Sequence, residues 1–259
     1  MSLPTGQAGL FYKMSTIWID NNPLLFILRL AEILEFIPGE YQKNTYHMKN
    51  HKKETRMEYY ELHPEDPQLR YINKAVDVLR NGGIVIYPTD TVYGMGCDIY
   101  NKKSLERLFR IKNDSREKLF SFICSGFKEI SKYAKISDFA YRRMKHLLPG
   151  PYTFILPTTR LVPKQLWSKR KRVGIRIPDN NVALKLVEEL GNPIISTSVT
   201  SRKGEILYDP FEIKNIFNSQ VDLMLASGII AGDPSSVIDL SEDVPEILRR
   251  GAGDIALFV

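Results

Sequence analysis

At 259 residues and 43% hydrophobic content, the chain can bury a full core as one large domain or two small ones, which excludes a disordered chain or a disulfide-stapled mini-protein. Its two cysteines, Cys97 and Cys124, have no CxxC or HxxxH partner spacing, so neither a disulfide framework nor a zinc site is indicated and a cytoplasmic location is expected. The formal net charge of +6 points to a polyanionic ligand or partner, while the four scattered histidines (His47, His51, His63, His146) earn no catalytic role.

The first 56 residues differ from the rest. A helix-like stretch, LLFILRLAEILEFI (Leu24 to Ile37), with Asn22 and Pro23 placed to cap it, precedes the polar, basic run NTYHMKNHKKETR. The stretch carries Arg29, Glu32 and Glu35, so it is too short and too charged to span a membrane, and no small-residue cleavage site follows it. The codons for Lys53 and Glu54 can read as a purine-rich ribosome-binding sequence just ahead of Met57. Residues 1–56 are therefore expected to be an extension, either a non-native start or a disordered segment, with the domain occupying residues 57–259. A native N-terminus near Met1, measured by mass spectrometry, would overturn this start.

From Met57 onward, helices and strands alternate as in an α/β domain. Asp66 and Pro67 read as an N-cap and first-turn pair, and Leu69, Ile72, Ala75, Val76 and Leu79 follow at helical spacing until Gly82 and Gly83 stop the helix. Ile84 to Tyr87 are β-branched or aromatic and predict a buried strand, which Pro88 ends for want of an N–H. The loop PTDTVYGMGCD comes next. Thr89, Asp90, Thr91 and Tyr93 supply side-chain donors and acceptors, and Gly94 and Gly96 let the backbone approach a ligand. The same hydroxyls could equally satisfy a local turn, and the residues alone leave both readings open.

Further helices are predicted at Lys103 to Arg110, Lys128 to Ala134, Asp138 to Leu148, Val182 to Leu190 and Pro210 to Phe217. Strands are predicted at Leu119 to Cys124, Tyr152 to Leu156, Arg172 to Ile177, Pro193 to Thr197, Leu223 to Ala226, Ser236 to Leu240 and Glu246 to Arg249. Two basic clusters interrupt the pattern: Arg142, Arg143 and Lys145 on a helix, and Lys169 to Arg172 ahead of a strand. Such runs are more often solvated faces than nucleic-acid contacts. Arg176 is different, because an arginine in the apolar strand VGIRI is seldom buried without an anion or carboxylate partner.

In order, PTDTVYGMGCD, RIK, PGPYTFIL, VGIRIPD, PIISTS, PSSVIDL and ILRRGAGD resemble the YrdC-like family, with ELHPEDPQ and the terminal GAGD most similar to its YciO branch. The resemblance covers nearly all of residues 60–259. It implies a single α/β domain with a twisted, mostly parallel sheet and flanking helices around a large, concave, basic cavity. It also implies an activity: threonine, bicarbonate and ATP join to give threonylcarbamoyl-AMP and pyrophosphate. A separate tRNA threonylcarbamoyl transferase then passes the group to the adenosine next to the anticodon of tRNAs reading ANN codons. Such chemistry needs positioning, charge neutralisation and exclusion of water rather than a covalent intermediate. Mg2+ would accompany ATP, since the phosphates supply its oxygens.

Carried onto this chain, the resemblance assigns catalytic roles to Lys112, Ser196 and Arg176. Thr89, Thr91 and Tyr93 would line the threonine and carboxylate end, Thr153 would touch nucleotide or threonine, and Arg176 and Arg249 would meet phosphates. Ser235 and Ser236 would present hydroxyls and backbone N–H groups to phosphate, and Ser198 would bind substrate. Two departures stand out. The family carries a Lys-x-Arg and a Ser-x-Asn pair, which here read Lys112, Asn113, Asp114 and Ser196, Thr197, Ser198. Asp114 replaces a bidentate donor with an acceptor of opposite charge, and Ser198 lacks the donors of an amide; Arg116 is a nearby substitute for the missing cation. Three functions therefore compete: a synthase weakened by the altered tetrad, a nucleotide-, tRNA- or double-stranded-RNA-binding module without efficient synthesis, and a hydrolase of a related adenylate.

Overall fold

The computed structural model describes residues 56–112, 120–163, 166 and 171–258. The predicted helix at 24–37, Asp114, Arg116 and the basic residues at 169 and 170 lie outside the described residues. Residues Thr55–Val259 form one compact unit. Its elements in chain order are β1 (Glu58–Glu61), α1 (Leu69–Arg80), β2 (Val85–Tyr87), β3 (Gly94–Asp98), α2 (Lys102–Lys112), β4 (Ser121–Ile123), α3 (Phe127–Tyr133) and α4 (Asp138–Met144). They continue with β5 (Tyr152–Pro157), β6 (Arg172–Arg176), α5 (Asn181–Leu190), β7 (Ile194–Ser198), α6 (Pro210–Phe217), β8 (Leu223–Ala226), β9 (Ser236–Asp239) and β10 (Glu246–Arg249).

The ten strands form one sheet in the order β1-β8-β2-β3-β7-β4-β6-β5-β9-β10. The α/β class and the twisted sheet with flanking helices stand as expected, but the strand directions are mixed rather than mostly parallel. Four neighbouring pairs are parallel and five are antiparallel. The cause is local in one case: only six residues, Pro88 to Tyr93, separate β2 from β3, too few for a crossover, so the chain folds straight back.

Strand alternation divides the core in two. Val85 and Tyr87 of β2, with Leu223 and Leu225 of β8, face α1 and α5, where Ile72, Leu79, Leu186 and Leu190 cover them. Ile84, Ile86 and Met224 face the other side, packed with Leu105 and Leu108 of α2, Ile130 of α3 and Ile213 of α6. Each buried side chain of this size contributes about 1.5–3 kcal/mol of transfer free energy, so truncating Leu186, fully buried, to Ala would cost about 2–5 kcal/mol.

Helix ends follow from local chemistry. Asn180 caps α5 by accepting from the Ala183 N–H, and Gly191 closes it at φ +82°. Asp209 caps α6 with Pro210 in its first turn. At α1 the cap falls at Gln68 rather than Asp66, with no side-chain bond, because the Asp66 segment is instead held by His63 Nδ1, which accepts from the Glu65 and Asp66 N–H groups. Two strands escaped prediction: β1, and β3, which lies within the sheet where a ligand-approach loop was expected. There, a Cβ on Gly96 would stand 2.5 Å from Ile194 Cγ2 and 2.6 Å from the Ile195 carbonyl, so this glycine lets β7 pack close rather than a ligand. No helix among the described residues is long and apolar enough to cross a membrane.

Candidate functional site

Two contiguous chambers open where strand ends gather. The small chamber, of about 130 Å³, is lined by hydroxyls of Thr89, Thr153, Ser196, Ser198 and Ser235 and by Arg176 and Arg249. The large one, of about 920 Å³, is bordered by Arg110 and Lys112 from the end of α2, by Arg202 and Lys203 from the segment after β7, and by Phe120 and Gln220. Thr197, Ser198 and Arg249 belong to both walls. No carboxylate lines either chamber among the described residues, which makes their field positive.

The turn after β2 is shaped by its own hydroxyls and borders the small chamber at Thr89. Thr89 Oγ1 donates to the Val92 carbonyl at 2.6 Å and accepts from the Thr91 and Val92 N–H groups, so this hydroxyl is largely spent on shaping its own turn. Thr91 accepts from an Arg176 guanidinium nitrogen at 2.9 Å. Asp90 takes the same nitrogen at 2.5 Å. Arg176 therefore has a carboxylate partner, one of the two kinds expected of an arginine buried in an apolar strand. The pair is incomplete, because Arg176 Nε and Asp90 Oδ2 are buried with no hydrogen-bond partner. Tyr93 borders the small chamber, and its hydroxyl donates to the Gly228 carbonyl at 2.6 Å and accepts from the Ser227 N–H, bracing a neighbouring loop.

Thr153 and Ser235 are joined hydroxyl to hydroxyl at 2.8 Å, and Arg249 lays its guanidinium on the Ser235 carbonyl at 2.8 and 3.0 Å. Burial, and then repulsion from Arg176, lower the Arg249 pKa from its ordinary value, as expected of two cations sharing one cavity. Ser236 does not join them. It is fully buried, its hydroxyl donates to the Gly253 carbonyl and accepts from the Gly251 N–H, and its own N–H bonds the Pro151 carbonyl. Both groups expected to receive phosphate are thus committed, the hydroxyl to the GAGD segment and the N–H to the Pro151 carbonyl ahead of β5. That segment needs its glycines, since a Cβ on Gly253 would lie 2.5 Å from the Tyr152 ring.

The Lys112 ammonium donates to the Ser198 carbonyl at 3.0 Å and to Thr200 Oγ1 at 2.6 Å, so the lysine and the second serine of the STS run meet in space although 86 residues apart. Ser196, on the same face of β7 as Ser198, accepts from the hydroxyl of Tyr87 at 2.6 Å. Sequence reasoning missed Tyr87 as a support and Arg110, Arg202 and Lys203 as part of the large chamber's wall. Nothing in their local pattern separates them from a core aromatic or a solvated charge.

The fold is thus a mixed α/β sheet whose strand ends set arginines and hydroxyls around a two-part cavity. The family model for Sua5, YciO and YrdC proteins, described as telomere recombination, matches residues 77–251, and the chain belongs to that family. Protein YciO of Escherichia coli is 41% identical over 204 residues, covering 78% of this chain and 99% of that protein. Its crystal structure superimposes with a TM-score of 0.76 over 78% of this chain and 100% of its own. A threonylcarbamoyl-AMP synthase of Coxiella burnetii is 30% identical over 161 residues, 62% of this chain and 87% of the synthase. The structure of P. abyssi Sua5 complexed with L-threonine is 28% identical, with a TM-score of 0.70 over 74% of this chain and 57% of that one.

Proposed function

We propose that this chain is a synthase of the threonylcarbamoyl-AMP type, acting on L-threonine, bicarbonate and ATP. The observation that carries the reading is the two-part cavity: a small chamber of single-anion size, opening at Ser198 and Arg249 into a large basic one of nucleotide size. The threonine amine condenses with bicarbonate, losing water, to give N-carboxythreonine. A carbamate oxygen then attacks the α-phosphorus of ATP, the bond to the bridging oxygen breaks, and pyrophosphate leaves. Lys112, Arg110, Arg202 and Lys203 neutralise the triphosphate, Arg249 stands at the junction beside the reacting carboxylate, and Ser196 and Ser198 orient that carboxylate. Mg2+ arrives with ATP and supplies further charge neutralisation to its phosphates.

Purified protein mixed with threonine, bicarbonate and ATP should release pyrophosphate and form the adenylate, and should do neither when threonine or bicarbonate is omitted. Release independent of threonine would overturn the reading. Ser198 in place of an asparagine favours a second one, in which the cavity binds nucleotide or RNA without efficient synthesis. Under it the same assay is silent while a tRNA titration shows a steep salt dependence. Both readings place the protein with tRNA in the cytoplasm, the first supplying a separate threonylcarbamoyl transferase.

A further inference from the structure

The small chamber has an unusual charge balance. Its only charged lining residues among the described ones are Arg176 and Arg249, and Arg176 is already met by Asp90 at 2.5 Å. The side chains of that pair are 7% and 12% exposed, so water screens them little. Two guanidiniums and one carboxylate leave the chamber with a surplus of one positive charge. Arg176 also keeps a buried donor, Nε, with no hydrogen-bond partner, so its guanidinium is not fully neutralised by Asp90. The remaining polar side chains on the wall are hydroxyls, which are neutral and leave the charge balance unchanged.

We infer that Asp90 determines specificity: by cancelling one of the two arginine charges, it tunes the small chamber to a singly charged oxyanion, a carboxylate or bicarbonate, and against phosphate dianion. A monoanion leaves the chamber neutral. A dianion would leave one buried negative charge uncompensated in a space of about 130 Å³, where burying an unpaired charge is costly. The inference deepens the synthase reading and rests on it for the identity of the anion. In that reaction carboxylate and bicarbonate belong at the inner end, and phosphate must be confined to the large chamber.

The test is calorimetric titration with inorganic phosphate alone, which needs neither threonine nor turnover and so stands or falls separately from the synthase assay. Asp90→Asn keeps the shape, and thermal melting checks that it folds. The variant should bind phosphate at least about tenfold more tightly than the native protein. The gain should vanish in the double variant Asp90→Asn/Arg176→Gln, which assigns it to the small chamber and not to the cations of the large one. A second measurement varies the pH. Phosphate loses its second proton near neutral pH, so phosphate binding attributable to the small chamber of the native protein should weaken from about pH 6 to about pH 8, and that of Asp90→Asn should strengthen. Equal phosphate affinity in the native and Asp90→Asn proteins, or a gain that persists without Arg176, would overturn the assignment.

Discussion

Tyr87 donates its hydroxyl hydrogen to Ser196 Oγ at 2.6 Å, although β3 lies between their strands. The contact is possible because the residue paired with Tyr87 on β3 is Gly94, whose absent side chain leaves the gap that the tyrosine ring crosses. A Cβ there would sit 3.1 Å from both Ser196 Oγ and the ring. By filling one acceptor position on Ser196, Tyr87 fixes how that hydroxyl faces the small chamber.

Tyr87→Phe should therefore cost about 1–2 kcal/mol of stability for a lost buried hydrogen bond, read from a urea midpoint at unchanged m-value. It should also reduce threonine-dependent pyrophosphate release by more than that loss of folded protein accounts for. Unchanged turnover in the folded variant would confine Tyr87 to a packing role.

Lys112→Ala should lower pyrophosphate release about a hundredfold, the scale of removing one oriented donor from a developing charge. The protein should remain folded, since Lys112 is the last residue of α2 and is not among the residues that helix buries in the core. Steady-state rates alongside a circular dichroism melt separate the two effects.

The neighbouring serines should behave oppositely. Ser236→Ala removes the anchor of the GAGD segment and should destabilise the fold by about 1–3 kcal/mol through two unmet backbone partners. Ser235→Ala, at the cavity wall, should change stability less and ligand affinity more. Chemical denaturation and a threonine titration on both variants check this order.

Alkaline pH should weaken the fold. Burial raises the pKa of Cys97 and Cys124 above the ordinary 9.0, so the folded chain holds these protons more tightly than the unfolded one. Their contribution is complete below pH 9.0 and is lost as pH climbs above it, because the unfolded chain then releases protons that the folded chain keeps. The slope should approach about 1.4 kcal/mol per pH unit for each thiol until the folded state titrates too. Urea melts at rising pH, compared with the Cys97→Ser/Cys124→Ser variant, measure it.

Helices and most strands were legible because their signals are local: apolar residues at helical spacing along α1, the Gly82 and Gly83 stop beyond it, and the β-branched and aromatic run of β2 that Pro88 ends. β3 was not, because a strand containing Gly94 and Gly96 violates β propensity and is held by pairing on both flanks, which only tertiary structure reveals. Of the expected site, Lys112, Arg176, Thr153, Ser196, Ser198, Ser235 and Arg249 do border the chambers. Tyr93, Ser236 and much of Thr89 turned out to be spent on neighbouring backbone, because a hydroxyl's partner depends on its rotamer and its neighbours, not on its motif.

The small chamber draws its wall from Thr89 in the turn after β2, from β4, β5, β6 and β7, and from Arg249 at the end of β10. No contiguous segment holds even half of it. Ligand capture is therefore a property of the finished sheet alone, and a partially assembled chain has nothing to offer a substrate. It follows that a bound anion would draw only on the fully folded population, raising the melting temperature of the whole domain as one cooperative unit rather than tightening a single loop.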